Sequence, residues 1–249
     1  ALSWVSDMEL KRFFANAEDF DGRYITLEGE EFEHMTKVLR HKVGFKIIVS
    51  LNDGKDYYCT IVEIAKTYAK AEVDEIIDNE CKSKASVTLF QALPKGDKLD
   101  VIIQKCVELG VEDIIPFKSR FTNESKYNVN RARRIALEAC KQCGRARKAN
   151  VGELVDFEEL IERLSNYDVV ILPYENAKVG SMRDVVGLGE GKKIALIIGS
   201  EGGFSADEVK LAEEKNAQVI SLGKRILRCE TAAIIASALI MYELGDLQG

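Results

Sequence analysis

The stretch Ile194-Ala-Leu-Ile-Ile-Gly-Ser-Glu-Gly-Gly-Phe204 decides the fold. A five-residue apolar run bounded by glycines reads as a strand buried on both faces. Ser205-x-x-Glu208 follows as a capping box, so a helix starts there. The same strand–turn–helix grammar recurs at Val219–Leu222, Gly223-Lys-Arg-Ile-Leu-Arg228 and an almost wholly apolar final helix. Working outward, Val87–Leu93, Ile114–Phe117 and Val169–Leu172 are further short apolar strands. Pro94-Lys-Gly-Asp97 is a turn, and Leu99, Ile102, Ile103 and Cys106 then mark a helix closed by Gly110. Strands alternating with helices predict an α/β fold with a parallel sheet covered on both faces.

In such sheets ligands sit beyond the carboxyl ends of the strands. Three strand ends carry unusual residues: Leu172-Pro173-Tyr174-Glu175, Gly199–Phe204 and Ser221–Ala232. Glycines 199, 202, 203 and 223 permit close approach of a ligand to backbone. Arg225, Arg228 and Glu230 stand directly before a helix expected to be buried nearly all round. Burying them unpartnered would be costly, so a paired, functional cluster is expected.

Residues 1 to about 82 read differently, as a small β-rich unit. Phe45–Leu51 and Tyr57–Ile64 are strand-like around the hairpin signal Asn52-Asp53-Gly54-Lys55. Arg23–Leu27 and Lys70–Ile77 look like further strands, and Phe32, Met35, Val38 and Leu39 mark a short helix that Gly44 would stop. Cys81-Lys-Ser-Lys-Ala-Ser86 is the expected linker.

Composition narrows the function. The chain has 249 residues, 46% hydrophobic and 31% charged, a globular balance with length for one or two domains. Its longest apolar stretch, Ala232 to Tyr242, is about half of the ~20 residues that a membrane span needs. A signal peptide is not expected, since Trp4, Asp7, Glu9, Lys11 and Arg12 interrupt any apolar core; Ala1–Asp7, lacking an initiator Met, is expected to be partly non-native. The six cysteines show no secreted framework, which predicts reduced thiols and a cytoplasmic protein. With two histidines and one Cys-x-x-Cys, Cys140 to Cys143, no metal site is expected; that pair reads as helix core. No phosphate-binding glycine fingerprint follows a strand, and Gly187-Leu-Gly189-Glu-Gly191-Lys192 reads as a surface turn.

Charge is unevenly spread. The net charge is −6, yet Lys118–Lys148 holds ten basic residues against Glu124 and Glu138, so this window is +8 and the remainder −14. Ala132, Ile135, Ala136, Ala139, Cys140 and Cys143 form one apolar helical face within it, leaving the arginines toward solvent. That is either a solvated face or a phosphate-binding surface on an acidic protein. The interleaved Phe121, Asn123, Tyr127 and Asn128 favour RNA, whose unpaired bases stack on aromatic rings.

Ile198-Gly-Ser-Glu-Gly-Gly-Phe204 with Leu222-Gly-Lys-Arg-Ile-Leu-Arg-Cys-Glu-Thr-Ala232 resembles the SPOUT class of RNA methyltransferases, most nearly the ribosomal RNA small subunit methyltransferase E family. His34-x-x-x-Val38-Leu-Arg40, Gln104-Lys-x-x-Glu108-Leu-Gly-Val111 and Gln142-Cys-Gly-Arg145 agree with it. Departures are Ser200 for the usual proline, Lys148-Ala149 for the usual Val-Pro, and a missing aromatic near Arg133. The resemblance implies a PUA-like β-barrel over residues 1–82 and a SPOUT domain with a trefoil knot over 83–249. It implies S-adenosylmethionine as cofactor and methylation of uridine N3 in 16S ribosomal RNA, on naked RNA or the small ribosomal subunit, by a homodimer whose contact includes the last helix. The cofactor would be surrounded by Leu172, Pro173, Gly199, Glu201, Gly203, Leu222, Gly223, Leu227, Thr231 and Ala232.

Uridine N3 carries a proton at neutral pH, so attack on a sulfonium methyl needs a base and a cation to stabilise the uridinate. Arg228 with Glu230 or Glu201 is the expected set, although Glu230 could equally be a structural partner of an arginine or a helix-start carboxylate. His34, Arg40, Arg120, Arg134, Arg145 and Arg225 are the expected RNA contacts. A ribose 2′-O-methyltransferase of the same class and a non-catalytic ribosome-assembly factor are the rival readings; cofactor binding and nucleoside mass spectrometry separate them.

Overall fold

A computed structural model describes residues 10–84, 86–123, 126–177, 182–186 and 191–248. The readings placed on Ala1–Asp7, on Glu124 and on most of the Gly187–Lys192 turn lie outside the described residues. The chain divides into two units, Ala1–Lys82 with Cys140–Lys148, and Ser83–Ala139 with Ala149–Gly249.

The first unit holds strands β1 (Arg12–Phe14), β2 (Tyr24–Glu28), β3 (Lys46–Ser50), β4 (Lys55–Ile64) and β5 (Tyr68–Asp78) in one sheet ordered β1-β3-β4-β5-β2. β1 runs parallel to β3, and the other pairings are antiparallel. Gly54 at φ +88° and Asn52 at φ +63° make the β3–β4 connection, as the Asn-Asp-Gly signal requires. Phe13, Ile25, Leu27, Met35, Ile47, Val49 and Ile61 pack as its core. The short helix α1 (Gly29–Glu33) continues as a single π-turn over His34–Val38. Gly44 does not stop it. The chain leaves the helix at Leu39 and turns at Arg40, which takes φ +56°, a left-handed conformation costing a non-glycine residue ~1–2 kcal/mol.

β1 has no sequence periodicity, and tertiary partners explain it. Arg12 forms a salt bridge of 2.5 Å with Asp56 and donates to Ser50 Oγ at 2.6 Å. Asn79 Nδ2 donates to Asp56 at 2.8 Å and to the Gly144 carbonyl at 2.9 Å. The segment 140–148 is bound to this unit by further polar contacts. Lys141 pairs with Glu31 at 2.7 Å, Arg147 donates to the Asp53 carbonyl, and Asn52 accepts from the Lys148 amide.

The second unit is a parallel sheet ordered β12-β10-β11-β6-β7-β8, with β9 also on β7. Its strands are β6 (Ser86–Ala92), β7 (Asp113–Lys118), β8 (Asn150–Val151), β9 (Val155–Asp156), β10 (Val169–Pro173), β11 (Lys193–Ile198) and β12 (Gln218–Ile220). Side chains alternate between faces. Phe90, Phe117, Leu172, Ala195 and Ile197 pack under α4 (Phe157–Arg163) and α6 (Ala206–Glu214). α2 (Lys98–Glu108) packs against α7 (Cys229–Glu243), where Ser237 Oγ meets Cys106 Sγ at 3.6 Å. α3 (Val129–Cys143) and the short α5 (Met182–Val186) complete the helices. Gly110 ends α2 at φ +105°. The α/β class and the parallel sheet expected from the sequence are those observed.

α7 departs from its expected burial. Ala233, Ala236, Ile240 and Met241 are sealed, but Ile235, Leu239 and Tyr242 are 43%, 38% and 53% exposed. An all-apolar sequence hides this two-sidedness, because hydrophobic periodicity vanishes when both faces are apolar.

Candidate active site

Strands β12, β10 and β11 are consecutive in the sheet, so their carboxyl ends place the three unusual loops side by side. The Tyr174 amide donates to the Ile220 carbonyl at 2.9 Å, joining the first loop to the end of β12, from which the third departs. Ser200 to Gly203 close a tight turn, the Gly203 amide donating to the Ser200 carbonyl at 3.0 Å. Gly203 takes φ +64°, and a side chain there would meet Glu175 Oε1 at 3.4 Å, so the first loop also reaches the second. At Gly199 a Cβ would lie 3.1 Å from Gly203 Cα and 3.2 Å from the Phe204 ring. A side chain there would push the turn back by a few tenths of an ångström.

Of the residues expected to hold a ligand, Pro173, Gly199, Gly203, Leu222, Leu227, Thr231 and Ala232 are half-buried. Gly223 is exposed at φ +111°. Leu172 differs: its side chain is fully buried in the core, so only its main chain at the strand end can face a ligand. Two buried polar atoms beside the turn, Ser200 Oγ and Gln91 Oε1, have no hydrogen-bond partner. Gln91 Nε2 donates to the Ala92 carbonyl at 2.9 Å and to the Gly199 carbonyl at 3.3 Å.

The ionisable groups converge from three elements. Glu201 Oε1 accepts from Lys98 Nζ at 2.6 Å and from the Lys95 amide at 3.1 Å. Burial pushes the Glu201 carboxyl up, but the Lys98 hydrogen bond and the nearby backbone N–H groups outweigh it and hold it below its ordinary value. Glu230, in the first turn of α7, is also lowered, first by its own backbone N–H and then, against burial, by the Cys229 thiol, Lys98 and Arg228. Burial, with Glu230 alongside, pushes the Cys229 thiol up to about 12, so it is no nucleophile. Lys98 is held protonated by Glu201, with Cys229 and Glu230 adding to the effect. In the sequence Lys95 lies within the Pro94–Asp97 turn and Lys98 directly after it. No local pattern could have linked Lys98 to a carboxylate 103 positions away.

Arg225 and Arg228 are not the buried, paired cluster expected. Both are exposed, because the chain before α7 runs over the surface, where Ile226 is 88% exposed. The basic window is likewise not one free face. Arg131 pairs with Asp100 at 2.5 Å, Arg133 with Glu153 at 3.3 Å and Arg120 with Asp207 at 3.3 Å. Lys141 is in its buried pair, and Arg145 is only 7% exposed. Arg134 and Arg40 are exposed, and His34 is half-buried with its ring edge-on to Phe13 at 6.3 Å.

A family model described as an RNA methyltransferase domain matches residues 81–241, and one described as an RNA methyltransferase PUA domain matches residues 27–74. The fold is therefore that of an RNA methyltransferase. Ribosomal RNA small subunit methyltransferase E of Bacillus subtilis is 32% identical over 235 residues, 90% of this chain and 92% of that protein. A crystal structure of the enzyme of that name from Neisseria gonorrhoeae, bound to S-adenosyl methionine, superposes with a TM-score of 0.80 at 29% identity, covering 94% of this chain and 97% of that one. A methyltransferase of Legionella pneumophila in complex with the same cofactor gives a TM-score of 0.84 at 27% identity, with coverages of 94% and 97%. The chain belongs to the ribosomal RNA small subunit methyltransferase E family, and its cofactor is S-adenosylmethionine.

The residues present fit that group. The turns at 199–203 and 223 offer backbone rather than side chains, and the unpartnered Ser200 Oγ and Gln91 Oε1 leave buried hydrogen-bonding capacity beside them. Both features suit a cofactor with apolar, amide-like and hydroxyl parts. Among the described residues no cluster of three or more potential metal ligands occurs, and no helix is long and apolar enough to cross a membrane.

Proposed function

We propose that the chain methylates N3 of a uridine in 16S ribosomal RNA of the small subunit, in the cytoplasm. When bound, the cofactor supplies an electrophilic methyl group. Main-chain groups of Leu172, Gly199, Gly203 and Gly223, with the side chains of Pro173, Leu222, Leu227, Thr231 and Ala232, would hold it. The observation that carries the chemistry is the contrast between the two carboxylates. Glu201 is occupied by Lys98 and Lys95, whereas among the described residues the Glu230 side chain accepts only from the Cys229 thiol at 3.3 Å and its own amide.

Glu230 is thus the acceptor for the N3 proton, and Glu201 fixes the glycine turn to the start of α2. A carboxylate held below its ordinary value is fully ionised at pH 7 but weakly basic. The exposed Arg228 guanidinium offsets that by stabilising the uridinate. RNA contacts are assigned to His34 and Arg40 in the first unit and to Arg120, Arg134 and Arg225 in the second. Arg145 is left out because it is buried. Arg120 remains, since an exposed pair at 3.3 Å is weak and can exchange for phosphate.

Single-turnover methylation of 16S RNA, read by nucleoside mass spectrometry across pH, tests this. Glu230→Gln should lower the rate by about 10²–10⁴-fold with cofactor affinity kept. Glu201→Gln should weaken cofactor binding more than the chemical step. Unchanged rates in both variants would exclude carboxylate catalysis, and 2′-O-methyluridine as product would exclude the base-directed reading.

The exposed Ile235, Leu239 and Tyr242 lie at i, i+4 and i+7 along one side of α7. We propose that a second copy covers them in a homodimer.

A further inference from the structure

Five phenylalanines lie in the second unit, and four are sealed in its core. Phe90, Phe117, Phe157 and Phe204 are at most 6% exposed, whereas Phe121 is 43% exposed. Its exposure is not that of a loose loop. The Ser119 amide donates to Thr122 Oγ1 at 2.9 Å, and the Thr122 amide returns to the Ser119 carbonyl at 3.0 Å. This turn encloses Phe121. The neighbouring Arg120 amide donates at 2.7 Å to the buried carboxylate of Glu208, the same group that caps α6 through Ser205.

The base of the side chain also has a seat. A Cβ at Gly202 would lie 2.6 Å from Phe121 Cβ and 3.4 Å from its Cγ. Position 202 must therefore be glycine for Phe121 to rest directly on the turn that carries Glu201. An aromatic side chain anchored by its Cβ and Cγ on the turn that carries Glu201, yet left 43% exposed, offers open ring surface beside that turn. A base taken out of its stack needs a replacement π surface beside the reacting groups, and an aromatic side chain provides one for any planar base.

We infer that Phe121 is the platform on which the extruded pyrimidine stacks, a specificity-determining residue of the reaction. This rests on the methyltransferase reading above. Discrimination comes from planarity: a flat pyrimidine is held, and a puckered one is not.

The test uses the full chain and two fluorescein-labelled hexamers, hexauridylate and its 5,6-dihydrouridine counterpart, whose saturated ring cannot stack. Fluorescence anisotropy should show hexauridylate bound about tenfold tighter by the unaltered protein. Phe121→Trp should keep that preference and Phe121→Leu should abolish it, while calorimetric affinity for S-adenosylmethionine stays constant in all three. Equal binding of the two hexamers by the unaltered protein, or undiminished preference in Phe121→Leu, overturns the inference. So does loss of cofactor binding in both variants, which would make Phe121 structural. Should stacking hold while the chain forms no N3-methyluridine, the proposed reaction fails and the platform stands.

Discussion

Glu201 and Glu230 are alike in type and in their glycine- or helix-start settings, and only their partners separate them. Lys98 neutralises the first, whereas the second accepts from the Cys229 thiol and its own amide. His41 shows the same dependence on surroundings. Its ring sits edge-on to Phe13 at 5.9 Å and 5.4 Å from Phe45, and its buried Nδ1 has no partner. Burial lowers its pKa from the ordinary value, and the positive charge of Lys11 and the nearby His34 lower it further. The unfolded chain therefore binds the proton more readily. The stability this residue contributes is present above pH ~6.5 and is lost as pH falls through the folded value. His41→Phe keeps an aromatic ring without a titrating group. Its melting temperature should fall less steeply below pH 6.5 than that of the unaltered protein, and parallel slopes would refute the assignment.

At the scale of elements, signals are legible where their partners are local. Ser205 and Glu208 exchange the two hydrogen bonds of a capping box, at 3.3 and 2.8 Å, where the pattern Ser-x-x-Glu announces them. Gly110 ends α2 for the reason glycine usually does. β1 was not legible, because three residues carry no period and Arg12 finds Asp56 only across 44 positions. The side chains of that pair are 7% and 11% exposed, so removing one partner strands a buried charge. Arg12→Met should cost about 3–5 kcal/mol in urea unfolding. Arg12→Met combined with Asp56→Leu should recover most of it, and equal losses in the single and double variants would show that the charges are immaterial.

For the whole molecule, the open question posed by the sequence is what covers α7. Its outer side chains, Ile235, Leu239 and Tyr242, make an apolar stripe rather than scattered exposed residues. Leu239→Asp should convert a dimer to monomer in sedimentation equilibrium while leaving the buried Ala236 and Ile240 face intact. An unaltered mass for both proteins at half the unaltered protein's expected dimer value would remove the dimer proposal.

Sequence alone determined what depends on neighbours along the chain. The buried strands, the glycine turns after them, the capping box and the motif that marks the family were all readable, because hydrophobic period and backbone freedom are local properties. Tertiary structure decided the rest. It showed that the three loops stand on adjacent strands and that Lys98 claims Glu201. It also left Arg225 and Arg228 in water, drew Arg145 inward, and seated Phe121 on Gly202. Charge pairing and burial depend on distance in space. Residues a hundred positions apart meet only when the sheet order is set, so no periodicity or motif along the chain could reveal them.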